Sequence, residues 1–374
     1  MPTRRLPLIL SLLALPSLLA GCGTQEPVEP PLSAQALAAV QKDPGVSRER
    51  LARVIDQLFE DEAAGDTRAL LVLYQGKIVA ERYGEDFGKD TRFIGWSMAK
   101  SITGVLIGLL VSDGRLRLNE SAPVARWQRS GDPRGEITVR QLLQMRSGLR
   151  HVETTDPAYD SDTVRMLFLD GRSDMAAYAE AQPLEAEPGR KFEYSSATTM
   201  VLSDIAARAL TDSRDPGIRR SLVSEYLRTR LFEPVGMRSM VAEFDAAGTL
   251  IGSSMIHGTA RDWGKFGEFL RHGGSVRGAQ LIPRGWIEFM RSPSPRNPAY
   301  GAQLWLNRPS EGKDQLFPGK APASIFACIG HLGQYIIVSP TQKLTLVRLG
   351  HSSDAQRAKL RTHLVDIIAQ FPGG

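Results

Sequence analysis

The spacing of apolar residues changes several times along the chain, and each change marks an element. Leu51, Val54, Ile55, Leu58 and Phe59 recur at three and four residues, which predicts an amphipathic helix. Two short apolar runs follow, Ala69 to Tyr74 and Lys77 to Tyr83, around Gln75-Gly76. They read as a β-hairpin, and a hairpin cannot bury itself, so both strands should join a larger antiparallel sheet. From Ile102 to Leu110 the chain is apolar almost without a break. That is the pattern of a helix wrapped by protein on most sides, ending near Asp113-Gly114. The pattern stays mainly helical from Trp96 to about Leu270. Thr138 is placed to cap a helix through Leu143 that stops at Ser147-Gly148, and the polar loop Arg150 to Asp162 is long enough to overhang a site. Another helix runs through Leu202 and Ile205. A third, capped near Thr259, carries Trp263, Phe266, Phe269 and Leu270 on one side and ends at Gly273-Gly274.

The C-terminal part returns to strand patterns at 300–306, 324–329, 335–338 and 344–349, with a tight Gly330-His331-Leu332-Gly333 connection, and closes with a helix from about Asp354 to Phe371. The order helix, hairpin, helical block, strands, helix predicts an α+β fold, an α/β sandwich. Its antiparallel sheet is built from N- and C-terminal strands, flanked by helices, with a helical subdomain inserted. A site would lie in the cleft between them.

The N-terminus has a different pattern. Arg4-Arg5 precede a short apolar core, Leu6 to Leu19, which ends in Leu19-Ala20-Gly21-Cys22. Residues 1–21 read as an export signal, too short to span a bilayer comfortably. The Leu-Ala-Gly-Cys end resembles a bacterial lipobox, which implies cleavage before Cys22, lipidation of that cysteine and a membrane-anchored, exported protein, on the periplasmic face of a bacterial membrane. Residues 22–47, with Glu26-Pro27-Val28-Glu29-Pro30-Pro31, read as a tether. The folded domain is expected over 48–372.

Composition narrows the function. The 374 residues are 42% hydrophobic, enough for one large core. The formal charge of +5 loses two with Arg4 and Arg5. So small a surplus, with no basic stripe interleaved with aromatics, implies no nucleic-acid partner. The two cysteines, Cys22 and Cys328, and six histidines show no metal-ligand spacing. If Cys22 is lipidated, Cys328 has no partner for an intrachain disulfide.

Ser97-Met98-Ala99-Lys100 is the candidate chemistry. A serine hydroxyl needs a base, and on a helix a lysine three residues on can reach it. Burial and the helix N-terminus both favour the neutral amine. Alone, the pattern is common by chance. Gly95-Trp96-Ser97-Met98-Ala99 also nearly fits a nucleophile elbow, which needs a strand before it and an Asp and a His after it. Tyr194, before a helix start at Ser195-Ser196, could place its phenol near Ser97 and carry a proton if nearby cations lower its pKa; taken alone it reads more readily as a core or rim aromatic.

With Ser97, Lys100 and Tyr194-Ser195-Ser196 in this order, the chain resembles the serine β-lactamase-related family: class C β-lactamases, D-Ala-D-Ala peptidases, family VIII esterases and 6-aminohexanoate-dimer hydrolases. The last branch is the most similar, on Leu142 to Leu149, Pro188-Gly189, Thr259 to Trp263 and Gly330 to Tyr335. The resemblance implies Ser97 as nucleophile, Lys100 as its base and Tyr194 as proton shuttle. It implies an oxyanion site from the Ser97 N–H and one near His331, with Ser196 and Gly333 as further substrate or oxyanion contacts. It implies no metal or organic cofactor, and a small amide or ester as substrate. The family's Tyr-x-Asn is Tyr194-Ser195-Ser196 here, and its Lys-Thr-Gly strand is absent. Cys328-Ile329-Gly330 and His331-Leu332-Gly333 are the candidates for that place, and nothing evident grips a penicillin carboxylate. His331 is either a substrate contact or a turn residue. A family VIII-type carboxylesterase and a lipid-anchored binding protein that has lost the chemistry remain as alternatives.

Overall fold

A computed structural model describes residues 1–2, 31–311 and 315–373. The apolar segment Leu6 to Leu19, Cys22 and the Pro-rich run through Pro30 lie outside the described residues. The fold is the expected α+β sandwich. Strands β1 (Asp66–Tyr74), β2 (Lys77–Tyr83), β3 (Trp305–Leu306), β4 (Phe326–Gly330), β5 (Gln334–Ser339) and β6 (Leu344–His351) form one antiparallel sheet in the order β2-β1-β6-β5-β4-β3. Chain ends thus meet at its centre, with Leu71 opposite Val347 and Val72 opposite Leu346. Gln75 and Gly76 both have positive φ, 52° and 82°, the geometry of the two-residue turn that follows strand twist.

Both faces of the sheet are covered, so successive residues enter different cores. Leu70 and Val72 pack with helices α1 (Arg48–Glu60) and α5 (Arg357–Ile368), through Leu51, Ile55, Leu360 and Leu364. Each such side chain contributes about 1.5–3 kcal/mol on burial. Ala69, Leu71 and Leu73 face the larger core, which holds helices α2 (Ala99–Ser112), α3 (Ser196–Leu210) and α4 (Ala260–Arg271). On α4, Trp263, Phe266, Phe269 and Leu270 are buried as the pattern predicts. Gly264 and Gly267 bring α4 close to the sheet, since a Cβ on either would fall 2.7 Å and 2.6 Å from Leu71 and Thr345 side chains. Every residue of α2 from Ala99 to Leu110 is buried.

Three expectations need correction. The tether does not extend through residues 33–47. Ala34–Ala38 is a short helix capped by Ser33, Ala36 and Val40 are buried, and Glu81 N–H donates to Ala39 O, so this segment covers the outer edge of β2. The strand expected at 300–306 is only β3. Gln303 has φ of 62° and is held by Thr199 Oγ1, the Leu143 carbonyl and Ser101 Oγ, which turns the chain inward before Trp305. Thirdly, a short strand, Ile256–Thr259, precedes α4. It pairs with Arg92–Ile94 in a small second sheet.

Candidate active site

Ser97 sits on a single 3-10 turn, Trp96–Met98, between the small sheet and α2, one turn ahead of the helix on which the spacing put it. Gly95 N–H donates to Ile256 O at 2.8 Å, which fixes where the turn begins. A Cβ on Gly95 would lie 2.5 Å from the Trp263 indole, so glycine lets the turn rest on α4. Trp96 has φ of 47°. The Ser97 N–H is at the open N-terminal end of the turn, where such groups have no helical partner.

Lys100, in the first turn of α2, is 1% exposed. Its Nζ is 3.0 Å from Ser97 Oγ, 2.9 Å from Ser196 Oγ and 2.9 Å from the Ser253 carbonyl. Burial lowers its pKa to about 8, while the Glu153 charge pulls the other way. A neutral amine has two N–H donors and one lone pair. Ser253 O and Ser196 Oγ accept the two donors, which leaves the lone pair for the Ser97 hydroxyl proton.

Glu153 escaped the sequence reading. It comes from the 150–162 loop, with 22% of its side chain exposed. Its Oε1 accepts the Ser196 hydroxyl at 2.6 Å, and its Oε2 accepts the Ser196 backbone N–H at 2.7 Å. His151 Nε2, on a ring 1% exposed, is 2.7 Å from the same Oε2. Burial alone would raise the Glu153 pKa. The hydrogen bond from His151, the Lys100 charge and the Ser196 hydroxyl overcome it and hold the value near 2. The carboxylate is therefore ionised, and it orients Ser196, which in turn orients Lys100. A buried lysine requires a nearby acceptor or anion, and an acidic residue in the loop expected to overhang the site was the available signal.

Tyr194 lies just before α3, which Ser195 caps by accepting from Thr198 N–H at 3.0 Å. Its ring packs on Trp305 and Tyr300 at 5.3 Å and 5.9 Å between centroids, and Lys100 Nζ is 5.0 Å from its centre. Its hydroxyl is near enough to Ser97 for that serine to favour the phenolate slightly. The sequence reading had nearby cations lowering this phenol's pKa. Instead burial, and after it the Glu153 charge, push it well above its ordinary value. Tyr194 thus keeps its proton at neutral pH, and Lys100 Nζ, 3.0 Å from Ser97 Oγ, is the amine placed to take one.

The remaining candidates separate. Ser196 lines the cavity but is 1% exposed, and its hydroxyl accepts from Lys100 and donates to Glu153. His331 meets the edge of Trp96 at 5.6 Å and lines the same cavity as Ser97. Gly333 does not line that cavity. It has φ of 81°, and its carbonyl accepts from Arg348 Nη1 at 2.9 Å, so it is a turn position pinned by a buried arginine. Of the two segments considered for the missing Lys-Thr-Gly, Cys328-Ile329-Gly330 ends β4 beside the nucleophile turn. A Cβ on Gly330 would fall 2.2 Å from Gly95 O. Cys328 is buried and unbridged.

The cavity over Ser97 measures about 220 Å³. Larger clefts exist, one of about 770 Å³ beside Trp286 and Phe289, but that one does not reach Ser97. Ser97, Lys100, Tyr194, Ser196 and Glu153 thus form one connected set around a small opening. It can deprotonate a serine and donate a proton from a phenol.

The chain is similar to several known proteins. A family model described as Beta-lactamase matches residues 52–370. The 6-aminohexanoate-dimer hydrolase of Paenarthrobacter ureafaciens is 28% identical over 259 residues, 67% of this chain, and the match spans 63% of that relative's length. Among solved structures, one from Bacillus anthracis provisionally named a 6-aminohexanoate-dimer hydrolase has 20% identity and a TM-score of 0.68, covering 85% of this chain and 83% of its own. A family VIII carboxylesterase has 15% identity and a TM-score of 0.61, covering 85% and 97%. At such identities these two likenesses concern the fold.

Proposed function

The chain belongs to the beta-lactamase family of serine hydrolases, and from that premise we propose that it cleaves a small amide or ester through an acyl-enzyme on Ser97. The observation that carries this reading is the three-way setting of Lys100, which directs its lone pair to Ser97 Oγ. Ser97 Oγ attacks the substrate carbonyl as its proton passes to neutral Lys100. The oxyanion is held by the Ser97 N–H and by a second N–H at the end of β4 near His331. Tyr194 protonates the departing amine or alcohol and recovers a proton from Lys100. Water then attacks the acyl-enzyme, and the acid leaves with Ser97 restored. The similarity to a 6-aminohexanoate-dimer hydrolase supports a linear amide as one substrate type. The intact contact set argues against a binding protein without chemistry.

Partitioning tests the intermediate. With methanol added, phenyl acetate and p-nitrophenyl acetate should give acetate and methyl acetate in one common ratio, because both pass through the same acetyl-enzyme. Different ratios for the two esters would contradict an acyl-enzyme. Parallel assays on linear amides separate amidase from carboxylesterase.

The Leu19-Ala20-Gly21-Cys22 pattern supports a second proposal, export and lipidation at Cys22. In bacteria fed an alkyne fatty acid, the protein should take up the label and Cys22→Ser should not. Equal labelling of both would refute the anchor.

A further inference from the structure

Chemistry at Ser97 leaves open what enters the cavity, and its lining is informative. One wall comes from the 150–162 loop and the short helix Asp162–Phe168, with Ala158, Val164, Leu167 and Phe168 facing the opening. Trp96 and His331 stand among the other lining residues. The remaining lining side chains are neutral hydroxyls, except Glu153. Among the described residues, no lysine or arginine lines the cavity. Lys100 lies behind Ser97 and is neutral in the reacting form, and burial lowers the His331 pKa, so at neutral pH His331 adds no cation either. Glu153 is held ionised. Among the described lining residues the ionised side chain is thus Glu153, whose Oε2 lies 2.7 Å from His151 Nε2.

Phe168, which lines the cavity, is 45% exposed, so the apolar wall reaches the surface. An exposed apolar side chain at a cleft is suited to meet apolar ligand. The volume sets a limit. A cavity of about 150 Å³ accepts a benzene-sized group, so 220 Å³ takes a short arm and not a long acyl chain.

Resting on the serine-hydrolase reading, we propose that the cavity receives a short apolar substrate arm, about the size of a benzene ring or a little larger, and excludes arms that end in a carboxylate. Exclusion follows from two costs. A carboxylate placed here loses its hydration without gaining a cation, and it faces the ionised Glu153 at short range. The same features distinguish the site from one built to hold an anionic substrate. Length selection follows from the wall formed by Val164, Leu167 and Phe168, against which each added methylene gains contact until the cavity is full.

Two ester series read this directly. One varies the acyl group of p-nitrophenyl esters from acetyl to dodecanoyl, and the other varies the alcohol of alkyl acetates. In the series whose varied arm occupies the cavity, kcat/KM should rise to a maximum near hexyl length and fall beyond octyl. Within that series, the ester with a terminal carboxylate at hexyl length should be at least about tenfold poorer than its methyl-terminated counterpart. Val164→Phe should move the maximum to a shorter chain, read as the ratio of hexyl to methyl arms within the variant. A flat response to length in both series would overturn the proposal, and so would a carboxylate-ended arm processed as well as the apolar one. Methanol partitioning of phenyl acetate keeps the two readings apart. A common partition ratio with no length or charge preference removes this specificity and leaves the acyl-enzyme standing.

Discussion

Ser97→Ala loses turnover by about four to six orders of magnitude, the range met when a serine nucleophile is removed from a connected catalytic set. Residual rates would come from the oxyanion donors and from binding alone. The fold should survive. Ser97 is partly exposed on a short turn, and the turn is fixed by Gly95 and the small sheet rather than by the Ser97 hydroxyl. Lys100 keeps two of its three oxygen contacts, to Ser196 and Ser253. One lost hydrogen bond costs about 1 kcal/mol, a shift of a few degrees at most in a chain of this size. Circular dichroism, a melting curve and the ester assay together check it. Near-normal activity in a clean preparation would place the nucleophile elsewhere.

Lys100→Met lowers kcat/KM by about two to four orders of magnitude, the usual contribution of a positioned general base. Methionine keeps most of the lysine's length and removes a buried amine, so the core should stay filled. The Ser253 carbonyl loses its partner, at a cost of about 1–3 kcal/mol, partly offset because an ionisable group no longer needs burial. The wild-type pH profile carries the same claim without a mutation. The base acts unprotonated, so with its pKa near 8 only about one molecule in ten is competent at pH 7. Activity should therefore climb about tenfold per pH unit below 8 and level off above it. Glu153→Gln then gives the sign of the loop's influence. The Glu153 charge raises the Lys100 pKa, so its removal moves the midpoint to lower pH. The plateau falls at the same time, because Ser196 is less firmly held. A midpoint that stays or rises would show that Glu153 does not act through Lys100.

Ser97, Lys100 and Tyr194 could be singled out in the sequence only together, through the resemblance their order carries, and the structure brings them within reach of one another. Helices α1 and α4 and the Gln75-Gly76 hairpin were legible locally, because their apolar periods match the observed burial. Glu153 was not legible. It lies in a loop without periodicity, and its meaning depends on Ser196, 43 positions away. The direction of the Tyr194 shift failed for a related reason. Burial between Tyr300 and Trp305 and the charge of Glu153 are tertiary facts, and they outweigh a cation across the ring face. Gly333 was expected as a contact through the family resemblance, but the positive φ at Leu332 turns the chain away toward Arg348. Gln303 shows the converse. An apolar run reads as strand, yet one buried amide tied to Thr199 and Leu143 bends it.

The most direct measurement is covalent. The soluble domain, from about residue 24, would be treated with a fluorophosphonate at pH 8 and the adduct located by peptide mass spectrometry. An activated Ser97 predicts one adduct, on the peptide containing Ser97, absent from Ser97→Ala and strongly slowed in Lys100→Met. Labelling at another serine, or no labelling of a folded sample that still hydrolyses phenyl acetate, would contradict the account.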